Sequence, residues 1–268
     1  MSINAVLTKY VFIQDDPFFL PKVLDKYLRE WHDSTVGIHI QPTVMGKRSK
    51  LGTARELLRI YGIRYFFWKL RRYLTARLKG KVVNDLLRRQ RPCCSVRAVA
   101  RKYGVPVHEA ESVNSEDFRA MLQDLGVELI VSISGTQFYG RKLREQTPRG
   151  IINCHGALLP KYRGLMPSFW TLANGERVGG CSVHFVDDKL DNGPIVSQRQ
   201  YRINPGDTLE EIMGRGKDLA AETLIEAVRS IELGNDSCLP NPEEEATSFS
   251  VPTPEDVRRF LKNGHRFY

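Results

Sequence analysis

A chain of 268 residues with 41% hydrophobic and 26% charged side chains is long and apolar enough to bury its own core, which excludes disorder over its whole length. No apolar run reaches the roughly eighteen residues that a spanning helix needs, and the five cysteines (Cys93 and Cys94 adjacent, Cys154, Cys181 and Cys238 scattered) form neither a disulfide framework nor a zinc ribbon. The net charge of +9 hides an asymmetry: residues 47 to 102 carry 18 Lys and Arg against two acids, Glu56 and Asp85, a net of +16, while the remainder is mildly acidic.

The first ten residues lack a charged start, a long apolar stretch and a small-residue cleavage site, so the expectation is a mature chain in the cytoplasm, where thiols stay reduced. Val6 to Ile13 reads as a buried strand. A helix follows from about Phe18 to Glu30, with Leu20, Val23, Leu24 and Leu28 at helical spacing, and Val36 to Val44 as a second strand. This strand–helix–strand start predicts an α/β fold with parallel strands.

The basic segment comes next. Between Thr53 and Lys79, the residues Ile63, Phe67, Leu70, Leu74 and Leu78 form an apolar stripe, and Arg64, Lys69, Arg71, Arg72 and Lys79 lie off it. The preferred reading is an added helical hairpin whose stripe packs on the domain. The alternative is a peripheral membrane contact through 54–80.

Further on, Ser95 to Tyr103 predicts a helix, Val105 to His108 a short strand and Glu116 to Leu125 a helix. Leu129 to Ile133 is continuously apolar, as buried parallel strands are. A short helix at 140–146, a strand at Gly150 to Cys154, and a strand pair at 181–186 and 195–203 follow. Thr208 with Glu211 three residues on predicts a capped long helix. Residues 234–254 are polar with four prolines and read as a loop or tail, with one last helix near Glu255 to Asn263.

Several chemistries lack their signatures. There is no Gly-x-Gly-x-x-Gly after the first strand, no Gly-x-Ser-x-Gly, no His-Glu-x-x-His and no zinc spacing, and Gly214 to Asp218 fails as a phosphate loop because Asp follows the Lys. The dense segment is Asn153 to Gly164, at the carboxyl end of a predicted buried strand, where open α/β sheets bind ligands. Asn153 and His155 are two apart and share one side of an extended strand; Cys154 points the other way, as a core residue. An amide donor, an imidazole and Asp191 in a turn between two strands suit acyl transfer through a tetrahedral intermediate. Taken singly, each fits a structural part better, as a satisfied core histidine or a turn aspartate.

Asn153-x-His155, then Leu158-Leu-Pro-Lys-Tyr-Arg-Gly164, Asn174-Gly-Glu176, Gly180-Cys-Ser-Val-His184 and Asp187-x-x-x-Asp191-x-Gly-Pro-Ile195, closely resemble the folate-dependent formyltransferase family, from about Glu128 to Ile231. That family includes the phosphoribosylglycinamide, methionyl-tRNA and sugar N-formyltransferases. The resemblance implies a Rossmann-like, mostly parallel twisted sheet with helices on both faces, here with a basic helical insertion at 47–102. The catalytic domain would span 1–233, and 234–268 would be a C-terminal tail. The resemblance also implies transfer of a formyl group from 10-formyltetrahydrofolate to a primary amine, with no metal. By matching position, Asn153, His155 and Asp191 are the expected catalytic trio. The loops holding Thr136, Gln137, Phe138 and Tyr139, and Val186, Asp188 and Leu190, are expected to line the folate pocket. His184 matches a family strand position and is taken as structural.

The chain departs from its relatives in ways that bear on the acceptor. Where glycinamide-ribotide enzymes carry a phosphate loop, this sequence has the acidic, bulky Gln14-Asp-Asp-Pro-Phe-Phe19. Methionyl-tRNA enzymes add a basic C-terminal barrel, whereas a short Glu- and Pro-rich stretch follows the last long helix here. The hydrolases of formyltetrahydrofolate usually lack the step at Tyr162 to Gly164. The pattern looks most like the sugar N-formyltransferases, so the expected acceptor is an amino sugar, as a sugar nucleotide or lipid-linked and with a phosphate in either form. Tyr162, Arg163 and Trp170 are the acceptor-lining candidates. Nucleic acid is not the expected partner, although an RNA-binding module with a vestigial site is the non-enzyme alternative. Smaller relatives are often dimers, so a homodimer is one assembly the resemblance allows, and the sequence itself does not fix the oligomeric state.

Overall fold

The computed structural model describes residues 6–42, 49–86, 94–235 and 237–268. The end of the expected second strand (43–44), parts of the basic segment (47–48 and 87–93) and Cys93 lie outside them. In chain order the elements are β1 (Lys9–Gln14), α1 (Leu20–Trp31), β2 (Thr35–Gln41), α2 (Lys50–Lys81), α3 (Val96–Lys102), α4 (Glu116–Asp124), β3 (Leu129–Ile133), α5 (Arg141–Gln146), β4 (Ile151–His155), β5 (Arg163–Gly164), α6 (Pro167–Ala173), β6 (Val178–Phe185), β7 (Ile195–Arg202), α7 (Leu209–Glu232), β8 (Ser248–Phe249) and α8 (Pro254–Lys262). The expected strand at Val105 to His108 is reduced to one bridge between Ile38 and Val107.

Six strands form one sheet in the order β2-β1-β3-β4-β6-β7. The first four are parallel and β6 and β7 antiparallel. Alternate residues of β1 supply opposite faces. Val11 and Ile13 pack with α1, α3 and α7 on one side, while Tyr10 and Phe12 meet Phe118, Leu122 and Leu143 of α4 and α5 on the other. Helices on both faces are what a parallel sheet needs, because both of its sides are apolar. The Thr208 and Glu211 capping box starts α7 as the sequence predicts.

Residues 234–268 do not hang off this body. Leu239 bridges Ile195, β8 pairs with β5, and Phe260 and Phe267 are buried among Ile60, Tyr65, Phe169 and Trp170 in a second core. The expected tail is therefore a structural part of the domain. Its aromatic residues could not have been assigned to this core from spacing alone.

The basic helix reverses the preferred reading. Gly62, at φ 72° and ψ 169°, breaks α2, so the stretch before it and the stretch after it present their faces independently. Beyond it, Ile63, Phe67, Leu70, Leu74 and Leu78 are 37–65% exposed. The opposite side is the one that docks: Tyr65 and Trp68 stack with Phe267 and Tyr268, while Tyr65, Lys69 and Arg72 all donate to Glu210 at the start of α7. An aromatic face with two cations over a nearly buried carboxylate gains more from docking than an aliphatic stripe does. Arg77 is paired with Asp15, at 2.6 Å, in the loop after β1.

Candidate active site

The site is built on β4. Its extended backbone turns Asn153 and His155 to the face shared with Ile151 and sends Cys154 to the other, where its Sγ lies 3.4 Å from Cys181. Asn153 is held from the neighbouring strand. In the parallel register Ser132 sits beside it, and the Ser132 hydroxyl donates to Asn153 Oδ1 at 2.9 Å. Tyr139 Oη stands 2.8 Å from the same Ser132 Oγ. With Oδ1 occupied, the Asn153 amide nitrogen is left to donate outward.

It faces Asp191. Asn153 Nδ2 is 3.4 Å from Asp191 Oδ1, and His155 Nδ1 is 3.5 Å from Asp191 Oδ2. The Gly164 amide donates to Oδ2 at 2.8 Å. His155 Nε2 stands 2.8 Å from the Tyr162 carbonyl, so both ring nitrogens face oxygen atoms. The imidazole of residue 155 is nearly buried, at 6% exposure. In so little water each of these polar contacts is strengthened.

His184 joins the cluster. Its Nδ1 lies 2.8 Å from the Phe185 carbonyl, which places a proton on that nitrogen, and its Nε2 lies 3.4 Å from both Asp191 Oδ1 and Asn153 Nδ2. Burial alone would push the Asp191 carboxyl up. The imidazoles of His155 and His184 and the Gly164 amide outweigh it and hold the group well below the usual carboxylate range. The resemblance gave His184 only as a structural strand position; the antiparallel register that sets it opposite Asn153 brings it into the cluster.

The backbone around the cluster is bent into the left-handed region at Ser134 (φ 55°), Tyr162 (62°), Met166 (55°) and Asp191 (48°). Non-glycine residues hold such angles only where their surroundings impose them. One constraint comes from the C-terminal segment: Asn241 Nδ2 donates to the Asp191 carbonyl at 3.0 Å and to the Gly193 carbonyl at 2.9 Å. Nothing in the polar, proline-rich sequence around Asn241 signalled this.

The acceptor-lining candidates face the same segment. The Arg163 guanidinium is buried and donates to Glu243 at 2.8 Å and to Asn241 Oδ1 at 2.9 Å. Trp170 stacks on Phe249 and donates to the Ser250 carbonyl, and the Tyr162 hydroxyl donates to Glu176. All three touch the returning chain, Tyr162 by stacking on Phe249 and by donating its amide to the Thr247 hydroxyl.

The folate-loop candidates divide. Tyr139 is core, its phenol pushed up to about 12 by burial. Thr136 donates its amide to Gln41, and Gln137 Oε1 accepts from the Val113 amide. Val186 is half-buried, and its amide donates to the Ile151 carbonyl. Phe138 and Leu190 are exposed apolar side chains, and Asp188 is exposed. An open depression of about 380 Å³ lies between α5 and the 186–190 loop, lined by Arg141, Arg144, Glu145 and Asp188. Among the described residues no group of three or more His, Cys, Asp or Glu is arranged to hold a metal ion.

Comparison with known proteins agrees with this architecture. The chain is 33% identical over 178 residues to a methionyl-tRNA formyltransferase of Kosmotoga olearia, covering 65% of this chain and 56% of that one. A methionyl-tRNA formyltransferase of Anaeromyxobacter sp. (strain K) is 35% identical over 164 residues, covering 61% and 53%. The chain thus spans little more than half the length of these relatives. In fold it is similar to glycinamide ribonucleotide transformylase 1 from Symbiobacterium toebii (TM-score 0.58, 18% identity, 86% of this chain and 90% of that one). It is also similar to an N-formyltransferase from Helicobacter canadensis crystallised with folinic acid and dTDP-3-aminofucose (TM-score 0.59, 13% identity, 98% and 84%). The formyl transferase family model matches residues 75–228, more than half of the sequence and the stretch that carries Asn153, His155 and Asp191, and so the chain belongs to the folate-dependent formyltransferase family.

Proposed function

We propose that this chain transfers a formyl group from 10-formyltetrahydrofolate to a primary amine, and that the amine is that of an amino sugar. The observation that carries the reaction type is the convergence of Asn153, His155 and Asp191 within 3.5 Å contacts on one face of β4. The folate supplies an activated formyl group. The Asn153 amide donates to the formyl oxygen as negative charge develops there, and the imidazole of His155 adds a second donor. Asp191 steadies the imidazole and helps relay the proton from the attacking amine to N10 of the folate, as the bond from the formyl carbon to N10 breaks and tetrahydrofolate leaves. Phe138 and Leu190 offer the apolar surface, and the 134–139 and 186–190 loops the backbone groups, between which a pterin would be held.

For the acceptor, the start of α1 is informative. In this chain Asp16 Oδ2 accepts from the Phe19 amide at 2.7 Å and the Leu20 amide at 2.9 Å, and Oδ1 from the Phe18 amide at 3.2 Å. A carboxylate already occupies the helix terminus where a phosphate after the first strand would sit, which argues against a ribotide phosphate there. A second reading, an aminoacyl-tRNA acceptor, is favoured by the identity to the two methionyl-tRNA formyltransferases. A screen with 10-formyltetrahydrofolate and candidate amines, read by the absorbance of deformylated folate, separates these. Turnover with an amino-sugar nucleotide alone supports the first reading, and turnover with methionyl-tRNA the second. Folate deformylation without any amine overturns both in favour of hydrolysis.

A further inference from the structure

We propose that the exposed stripe of α2 is a docking surface for an anionic lipid membrane. Past Gly62 the helix runs for about 28 Å at the usual rise per residue. Ile63, Phe67, Leu70, Leu74 and Leu78, with Val82 just beyond, present apolar side chains to solvent along it. Their spacing of four, three, four and four keeps them in one row, while the side carrying Tyr65, Trp68, Lys69 and Arg72 is spent on Glu210 and the second core. A continuous apolar row of this size on a soluble surface marks a partner.

Charge selects the partner. Residues 57 to 84 contain eight Lys and Arg and no acid. Lys69, Arg72 and Arg77 are used internally on Glu210 and Asp15. Arg64, Arg71, Lys79 and Lys81 flank or extend the row, are exposed, and have no ion-pair partner among the described residues. Two copies of this face would oppose like charges across their stripes. A nucleic acid would meet the cations but leave the five aliphatic and aromatic side chains in water. A surface of anionic headgroups over acyl chains complements both, with the apolar row sunk at the headgroup boundary and the arginines and lysines at phosphate level. Because Arg77 ties α2 to the loop after β1, this contact would bring lipid to the carboxyl edge of the sheet that carries the candidate site.

The test is co-sedimentation of the full chain with vesicles of phosphatidylcholine, with and without 30 mol% phosphatidylglycerol. The expected result is binding to the anionic vesicles that exceeds binding to the neutral ones by about tenfold or more and weakens with salt. The double variant Phe67→Glu/Leu74→Glu should lose it, with unchanged circular dichroism because neither residue is in a core. Arg71→Glu/Lys79→Glu should lower it less steeply and remove most of the salt dependence. Equal recovery on neutral and anionic vesicles, or wild-type binding by the double variant, overturns the proposal. So does a wild-type dimer in sedimentation equilibrium that the double variant dissolves, or RNA retention that the double variant keeps. His155→Asn should bind vesicles as wild type, so failure of formyl transfer and failure of lipid docking are read separately.

Discussion

Replacement of Asp191 is the sharpest probe of the site, because its two carboxylate oxygens do different things. Oδ2 accepts from the Gly164 amide, a neutral contact that an asparagine oxygen can reproduce. The charge lies between the imidazoles of His155 and His184, at 3.5 and 3.4 Å, and asparagine cannot supply it. Asp191→Asn is therefore expected to keep the fold and lower kcat by about 10²–10³, roughly the 3–4 kcal/mol that one preorganised electrostatic group supplies. Asp191→Ala also leaves the Gly164 amide without its acceptor and should cost a further 1–3 kcal/mol or so of stability. At roughly 2–4 °C per kcal/mol this separates the two variants in a thermal melt. The folded-state carboxyl is depressed, so its contribution to stability is complete above the unfolded value of about 4 and is lost as pH falls towards the folded one. The asparagine variant lacks this loss and should show a flatter acid limb. Single-turnover formyl transfer with the preferred amine, beside denaturant melts from pH 3 to pH 7, measures both. If Asp191→Asn transfers formyl within threefold of wild type, the charge has no part in the chemistry and the cluster is structural.

Three further outcomes follow from the same geometry. His184→Gln removes one of the two imidazoles beside Asp191, so the carboxyl moves back towards its ordinary value and the variant loses less stability than wild type as pH falls below about 4, as urea midpoints between pH 3 and pH 6 will show. Asn241→Ala deletes both donations to the Asp191 and Gly193 carbonyls, and is expected to cost about 1–2 kcal/mol and to lower kcat more than it raises KM. Gly164→Ala puts a Cβ 2.3 Å from the Phe249 carbonyl at a residue with φ 96°, so β8 must leave β5. A loss of about 2 kcal/mol or more and faster proteolysis between residues 234 and 254 are the measured signs.

The central strands and the shared face of Asn153 and His155 were legible because each is written locally. Leu129 to Ile133 and Ile151 to Cys154 are short and continuously apolar, and Asn153 and His155 share a strand face by the alternation of side chains alone. What was not legible depended on partners far away in sequence. The helix after Gly62 carries two plausible inner faces, one aliphatic and one aromatic, and only the arrival of Glu210, Phe267 and Tyr268 decides between them. His184 looks like any inward strand residue until β6 is laid antiparallel to β4 in one register. Arg163 and Trp170 were drawn to the acceptor by their place next to the motif, yet the nearest polar atoms belong to residues about eighty positions later.

Arg163 and Asn241 together make the geometry at Asp191 depend on the segment around Asn241 being in place. A nascent chain that has released everything through β7 already holds Asn153, His155, His184 and Asp191, but not the amide that fixes the bend carrying the carboxylate. Competence therefore arrives late in synthesis, with residues 241–250 acting as the closing latch. A ribosome-bound fragment ending before them should possess the sheet while remaining unable to turn over.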